Sequence, residues 1–412
     1  MPLRRILPIA ALLTALLAPN ARAGVRWVVI GHGFGHGVGM SQYGAYGYAR
    51  HGKGYRFILA HYYRGTTIGT LPGPRIVRVL IDISGGDVGF GEATGACGRR
   101  LNPTHSYDAH RIGRSVQLRT SSGKALANCG HKLTAAGQGH VSIGGSEYRG
   151  ALEVVPTDES SGSLNAVNAL PVDQYVKGVV PNESPASWPL AALETQAVAA
   201  RSYALADQVG GNDFDLYADT RSQVYGGMDS EAASSSRAAE LTRGQVVMYR
   251  GKIAETFFSA CSGGHTESVQ NVFFGPPVPY LVGVPDPYDG ACPLHTWKLT
   301  FSGRDISARL GSYLDGQLER VVVTQRGASP RIVWAKLYGT GGVTKIRGDE
   351  LESALGAYDR WMSFRKIVNG KPVNHPGTAE SGCRDRSPSC PAHTPHHPGA
   401  PGGAAAERDV PR

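Results

Sequence analysis

The pattern of apolar and polar positions divides the chain into regions of different character. A short apolar run, Ile6 to Pro19, follows Arg4 and Arg5 and ends at Ala21-Arg22-Ala23 before Gly24. A charged start, a brief apolar stretch and a small-x-small end are the parts of a secretory leader, so residues 1–23 read as a signal peptide. Beyond it no 18 consecutive residues are apolar, and no internal membrane span is expected. Trp27 to Ile30 reads as a strand. Ser41 is placed to cap a short helix that Gly52 ends. Tyr55, Ile58, Leu59, Tyr62 and Tyr63 recur at spacings of three and four, the period of a buried helix face. From about 75 to 155 the chain turns to short β-type runs broken by Gly, Ser and Asn, with Ile76–Ile83 and Ala151–Val155 the clearest strands. This stretch reads as a β-rich accessory region.

The strongest helix signal covers Pro189 to Ala206. Ser187 is a candidate N-cap and Pro189 lies in the first turn, where its missing N–H costs nothing. Leu190, Leu193, Ala197, Ala200 and Ala204 form a narrow apolar stripe. Gln245–Met248 and Ile253–Phe258 read as a hairpin turned at Arg250-Gly251, and Val321–Thr324 with Arg331–Lys336 as another. From residue 371 to 412 the sequence is rich in Pro, His, Gly and Ala without any apolar period, the composition of a disordered tail. The expected plan is α+β: a leader, one mixed domain over 24–370, and the tail.

Composition adds three constraints. Glycine supplies 55 of 412 residues, without a collagen period. The net charge of +9 falls to +6 without the leader, because Arg4, Arg5 and Arg22 leave with it. A diffuse excess of this size suits an anionic polymer such as a cell wall. Six cysteines in an exported chain are disulfide candidates, and sequential pairing is simplest: Cys97 with Cys129, Cys261 with Cys292, Cys383 with Cys390.

Five segments carry groups capable of chemistry. GHGFGHGVGMSQYGA, residues 31–45, is too glycine-rich to be the helix that would set His32 and His36 on one turn as zinc ligands, and it lacks the spacing of a dinucleotide loop. No cofactor is therefore expected. LPVDQYVKGVVPNESPASWP, residues 170–189, holds Glu183 between Pro181 and Pro185, which suggests a carboxylate presented from a stiff turn, with Trp188 as an apolar wall. Such a wall raises a carboxyl's pKa, as a general acid needs. QAVAARSY places Arg201 on the long helix. DTRSQVYGG, residues 219–227, and FSACSGGHTES, residues 258–268, complete the set.

Together these runs resemble the SpoIID/LytB family of bacterial cell-wall proteins over most of residues 26–300. Its sporulation members look like lytic transglycosylases that cut peptidoglycan glycan strands after removal of the stem peptides. The resemblance assigns the catalytic glutamate to Glu183 and a helix arginine, orienting it, to Arg201. His36, Ser41, Gln42, Tyr43, Gln223 and Tyr225 are the expected glycan contacts. With one clear carboxyl in the motif, the two-carboxyl pattern of ordinary glycosidases is incomplete, and Asp173, Asp219 and Asp286 are candidates for a second.

Three departures from the family pattern stand out. The GHG run precedes the other motifs here and follows them in the sporulation proteins, so His36 and its loop are expected to reach Glu183 by proximity of the chain ends. Glu194 replaces a lysine. No Cys or His lies between Asp207 and Gly227 to support the zinc cluster of some relatives. Other family members are wall-amidase enhancers, so a binding role with an amidase partner is the alternative. A metal hydrolase built on His32, His36 or His265 is a third. The expected partners are glycan strands and no nucleic acid, at an extracytoplasmic site, with membrane contact only through an uncleaved leader.

Overall fold

A computed structural model describes residues 24–157, 162–206 and 209–373. The leader and the Cys383–Cys390 pair lie outside them, as does the tail beyond residue 373. The architecture is α+β, with one group of helices packed beside one end of a long, mainly antiparallel sheet and two later helices packed on the layer that holds the N-terminal strand.

That sheet has ten strands. It runs from Leu216–Tyr217 through Ile76–Ser84, Leu164–Pro171, Ser146–Pro156, Leu133–Ile143, Val88–Ala96, Tyr107–Ile112 and Ser115–Thr120 to Ala125–Asn128. Arg99–Arg100 pairs beside Val88–Ala96. The stretch expected to be β-rich is thus continuous with the main sheet. Its far half closes on its own core of Val88, Phe90, Tyr107, Leu118, Leu133 and Leu152. Cys97 and Cys129 are bridged there, with Cα atoms 5.3 Å apart.

The near half packs on helices. Helix α1 covers Gln42–Arg50, α2 Tyr55–Tyr62, α3 Val172–Glu183, α4 Leu190–Ala206 and α5 Ala233–Leu241. Val77, Val79 and Leu170 of the sheet meet Tyr175, Val176 and Val180 of α3 and Leu193, Ala197 and Ala200 of α4. Helix α4 is buried around most of its circumference, Gln196, Arg201 and Ser202 included, so the narrow stripe is a correction. Alanines around the whole helix let α1, α2, α3 and α5 approach it closely. Ser187 is not its cap; the helix begins after Pro189, whose carbonyl accepts from Ala192 N–H.

The N-terminal strand lies among late partners. Arg26–His32 sits between Thr296–Ser302 and Met362–Val368, antiparallel to both. Trp27, Val29, Trp297, Ile332, Leu351 and Met362 form the core of this layer. The Leu318–Arg326 and Ile332–Gly339 hairpin follows the sequence reading. The other hairpin is shorter than expected: Gln245–Tyr249 turns into Lys252–Ile253 around left-handed Arg250 and Gly251, and its other edge pairs with Thr67–Thr70. Phe258–Ser259 instead runs parallel to Met40–Ser41, seating the glycine-rich run against the later SGGHTES segment. Cys261 and Cys292 are bridged beneath this seam.

Candidate active site

Glu183 is the last residue of α3, not part of a free turn. Pro181 is tolerated one turn from the end. Ser184 N–H closes the helix on Val180. The Glu183 side chain is half-buried, and each of its oxygens accepts one donor. Val224 N–H donates to Oε1 at 2.9 Å, and Gln42 Nε2 donates to Oε2 at 3.1 Å. Burial pushes the carboxyl above its usual range, while these two hydrogen bonds pull it down in part. The net shift is upward, the direction a general acid needs.

Gln42 comes from the glycine-rich run. Ser41 caps α1, accepting Gly44 N–H at 3.0 Å, and this cap aims the next side chain at Glu183. Gln42 also reaches Gln196 Oε1 of α4 at 3.5 Å, and Ser184 Oγ donates to the same oxygen at 3.4 Å. Tyr43, Tyr46 and Trp188 form a half-exposed aromatic group next to this network, with Trp188 5.0 Å from each tyrosine ring. Trp188 also lines a cavity of about 310 Å³ with Leu190, Leu193, Ala233, Ser234 and Arg237. None of the groups bonded to Glu183 borders that cavity.

Several residues expected at the site act elsewhere. Arg201 does not touch Glu183. It is fully buried; Nε donates to Asp173 at 2.8 Å, and its other nitrogens donate to the Ala197, Ala239 and Gln245 carbonyls. It therefore ties α3, α4 and α5 to the strand Gln245–Tyr249. Asp173 is occupied by Arg201 and Gly244 N–H, so it is no second catalytic carboxyl. Asp219 pairs with Arg221 at the surface. Gln223 is buried, donating to Tyr175 Oη and the Ala200 carbonyl. Tyr225 Oη donates to Asn168 at 2.8 Å, and its ring packs at a tilt against Tyr175. These two anchor the segment from both sides and thereby hold Val224 N–H on Glu183.

His36 also has its own seat. Its Nδ1 accepts Val38 N–H at 2.9 Å, and its ring packs on Phe257 and Phe273. Burial and the nearby Arg331 and Arg360 push it down to about 4, so it is neutral at pH 7. Gly37, at φ +74°, lies where a Cβ would come within 2.4 Å of the Arg331 guanidinium, so only glycine fits. Ser41, besides capping α1, hydrogen-bonds Asp286. Asp286 is fully buried and accepts from Tyr62 Oη at 2.9 Å and Ser262 Oγ at 2.8 Å. Burial and the adjacent Asp289 push it up to about 7.

The three histidines of the metal alternative are not brought together. His32 lies against His295 and Trp361, and His265 Nδ1 meets the Thr266 carbonyl. Among the described residues, no three His, Cys, Asp or Glu side chains are grouped as metal ligands. Gln196 and the Val224 amide were missed by sequence reasoning. The first had a signal, standing in the QAVAAR run; a backbone amide has none.

Known proteins share these segments. The family model for Stage II sporulation protein, SpoIID, matches residues 160–249, the stretch that carries Glu183, Gln196, Arg201 and Val224. An uncharacterized protein of Brachyspira hyodysenteriae is 38% identical over 174 residues, 42% of this chain and 46% of that protein. The amidase enhancer of Bacillus subtilis is 39% identical over 134 residues, 32% of this chain and 18% of the enhancer. Stage II sporulation protein D of Bacillus amyloliquefaciens is 27% identical over 229 residues, 51% of this chain and 64% of the relative. The shared segments span less than two thirds of each of these relatives. Over residues 160–249 the chain is thus similar to the SpoIID family, and the relatives it resembles include proteins named amidase enhancer and Stage II sporulation protein D.

Proposed function

We propose that this protein is a peptidoglycan lytic transglycosylase, acting outside the cytoplasm on glycan strands whose stem peptides have been removed. The observation that carries the reading is Glu183: a half-buried carboxyl raised by burial, gripped by one donor per oxygen, with no second carboxyl bonded into its network. A single group suffices when the substrate supplies the nucleophile. Glu183, protonated, gives its proton to the glycosidic oxygen as the bond to muramoyl C1 breaks. The resulting carboxylate then takes the proton of the muramoyl C6 hydroxyl as that oxygen bonds to C1. The product is a 1,6-anhydro end, and Glu183 is protonated again. Tyr43, Tyr46 and Trp188 offer flat apolar faces to sugar rings. Gln42 and Val224 hold the carboxyl in one orientation through both half-reactions.

The test is digestion of peptide-stripped and intact wall with purified protein, followed by mass spectrometry. Anhydromuramoyl ends that vanish with Glu183→Gln support the reading. Ordinary reducing ends would make the protein a hydrolase.

A second reading, a wall-bound amidase enhancer, is favoured by the 39% identity to the Bacillus subtilis protein of that name. Enhancement of an amidase that survives Glu183→Gln, without anhydro products, would select it.

A further inference from the structure

The cavity that Trp188 lines has no part in the steps proposed for Glu183, yet it is tied to the same loop. Trp188 follows Glu183 by five residues, at most about 17 Å of extended chain. Its N–H donates to the Pro185 carbonyl at 2.9 Å, and Ser234 Oγ donates to the Ala186 carbonyl at 2.6 Å. The second bond fastens the start of α5 to the loop that leaves Glu183. Trp188 therefore borders two spaces: the aromatic group it shares with Tyr43 and Tyr46, and the cavity between α4 and α5.

Helical spacing explains the lining. Leu190 and Leu193 lie three apart on α4, and Ala233 and Arg237 four apart on α5, so each pair shares a face. The walls are apolar apart from Ser234, whose hydroxyl is engaged with Ala186, and Arg237, the one charged group. Arg237 is exposed and makes no hydrogen bond, ion pair or ring contact among the described residues. The acids at the two ends of α5 are taken by other cations: Glu231 pairs with Arg149, and Glu240 with Lys177 and Arg243. Glu194 of α4 is not held by Arg237 either, since burial alone acts on its carboxyl. A chamber of about 310 Å³, at the small end of ligand sites, thus presents apolar walls and one uncompensated guanidinium. Its complement is a carboxylate on a short apolar arm.

We propose that this cavity is a subsite for a muramoyl residue whose lactyl carboxyl is free, with Arg237 holding the carboxylate and the lactyl methyl lying against Trp188, Leu190 and Leu193. In a strand that keeps its stem peptides the same carboxyl is an amide. The amide offers Arg237 no charge, and the first amino acid of the peptide competes for the small chamber. The subsite therefore selects stripped strands. The proposal rests on the reading of this protein as one that acts on glycan strands, and it names the group that tells stripped strands from substituted ones.

The experiment measures binding by calorimetry, using the full chain with Glu183→Gln, which cannot cut by the proposed chemistry. The probes are peptide-stripped glycan strands and the same strands with their lactyl carboxyls converted to methylamides. Conversion should weaken binding roughly ten-fold, the size of a lost charge-assisted hydrogen bond. Adding Arg237→Gln should weaken binding to stripped strands by the same factor and leave the methylamide strands unaffected. Lys252→Gln, at an exposed cation elsewhere, should stay within about two-fold of the parent. Arg237→Gln protein that binds stripped strands as tightly as its parent, equal losses on both probes, or no binding of stripped strands at all would overturn the proposal. Cutting is scored separately with Glu183 intact. Carboxylate-dependent binding through Arg237 without anhydro ends would sink the lytic reading and keep the subsite. Anhydro ends released equally well from both probes would sink the subsite and keep the lytic reading.

Discussion

Gln42 donates to Glu183 across 141 residues of sequence, and this hydrogen bond joins the glycine-rich run to the proposed catalytic carboxyl. It replaces the expected contact through His36, which serves its own loop. Because the donor stabilises the ionised form, its loss should push the Glu183 carboxyl further up. A general acid works while protonated, so activity falls as pH rises through its pKa. Gln42→Leu should therefore move the alkaline limb of the pH–rate profile to higher pH. Losing one hydrogen bond of about 1 kcal/mol should lower kcat roughly five-fold. Release of anhydro ends from stripped strands across pH measures both, and an unmoved limb would separate Gln42 from the acid.

Arg201 should behave as a structural residue. Arg201→Ala leaves Asp173 without its cation and removes a donor from the Ala197, Ala239 and Gln245 carbonyls, at a cost of about 3–5 kcal/mol. Denaturant melts measure it. Adding Asp173→Asn should recover part of the loss, because the orphaned charge is then gone. The protein that stays folded should keep the unmodified alkaline limb. A shifted limb would return Arg201 to the catalytic group.

Gly44 marks the closest approach of α1 to the buried acid. A Cβ there would lie 2.0 Å from Tyr62 Oη and 2.3 Å from Asp286 Oδ2. Gly44→Ala should cost roughly 1–3 kcal/mol by overpacking. Combined with Tyr62→Phe, which removes the nearest atom, it should cost less than the two changes summed. Simple additivity in thermal melts would refute the clash.

Asp286 gives a pH signature of definite sign. Its folded pKa of about 7 lies above the unfolded value near 3.8. At pH below 4 both states are protonated. Between about pH 4 and 7 the unfolded chain ionises first, so stability from this group is lost as pH rises. His36, lowered to about 4, acts oppositely: its contribution is present above 6.5 and lost as pH falls toward 4. The two offset in the unmodified protein, so a difference measurement is needed. Asp286→Asn should be more stable relative to the unmodified protein at pH 8 than at pH 4. A pH-independent difference in Tm would show that Asp286 is ionised in the fold.

Much of the architecture was legible because local rules and tertiary packing agreed. The Ser41 cap, the α2 face at Ile58, Leu59 and Tyr62, and the Leu318–Gly339 hairpin each needed only near neighbours. Two sequential disulfides were also legible. The site was half legible. Family motifs pointed to Glu183 and Gln42, but motif membership does not distinguish a side chain facing substrate from one that props the backbone. Gln223, Tyr225 and Arg201 are of the second kind, and a polar residue's burial depends on partners 23 to 71 residues away. Local patterning carries no such information.

The place of the first strand has a consequence for the protein's life history. Arg26–His32 is completed only by Thr296–Ser302 and Met362–Val368, so its hydrogen-bonding edges stay open until nearly the whole described chain has been made. Loop closure over such separations is slow. The glycine-rich run that follows, and with it Gln42, takes its seat late. The contact between Gln42 and Glu183 is therefore among the last features of the fold to form, and on the proposed export it would be assembled only once the whole described chain is across.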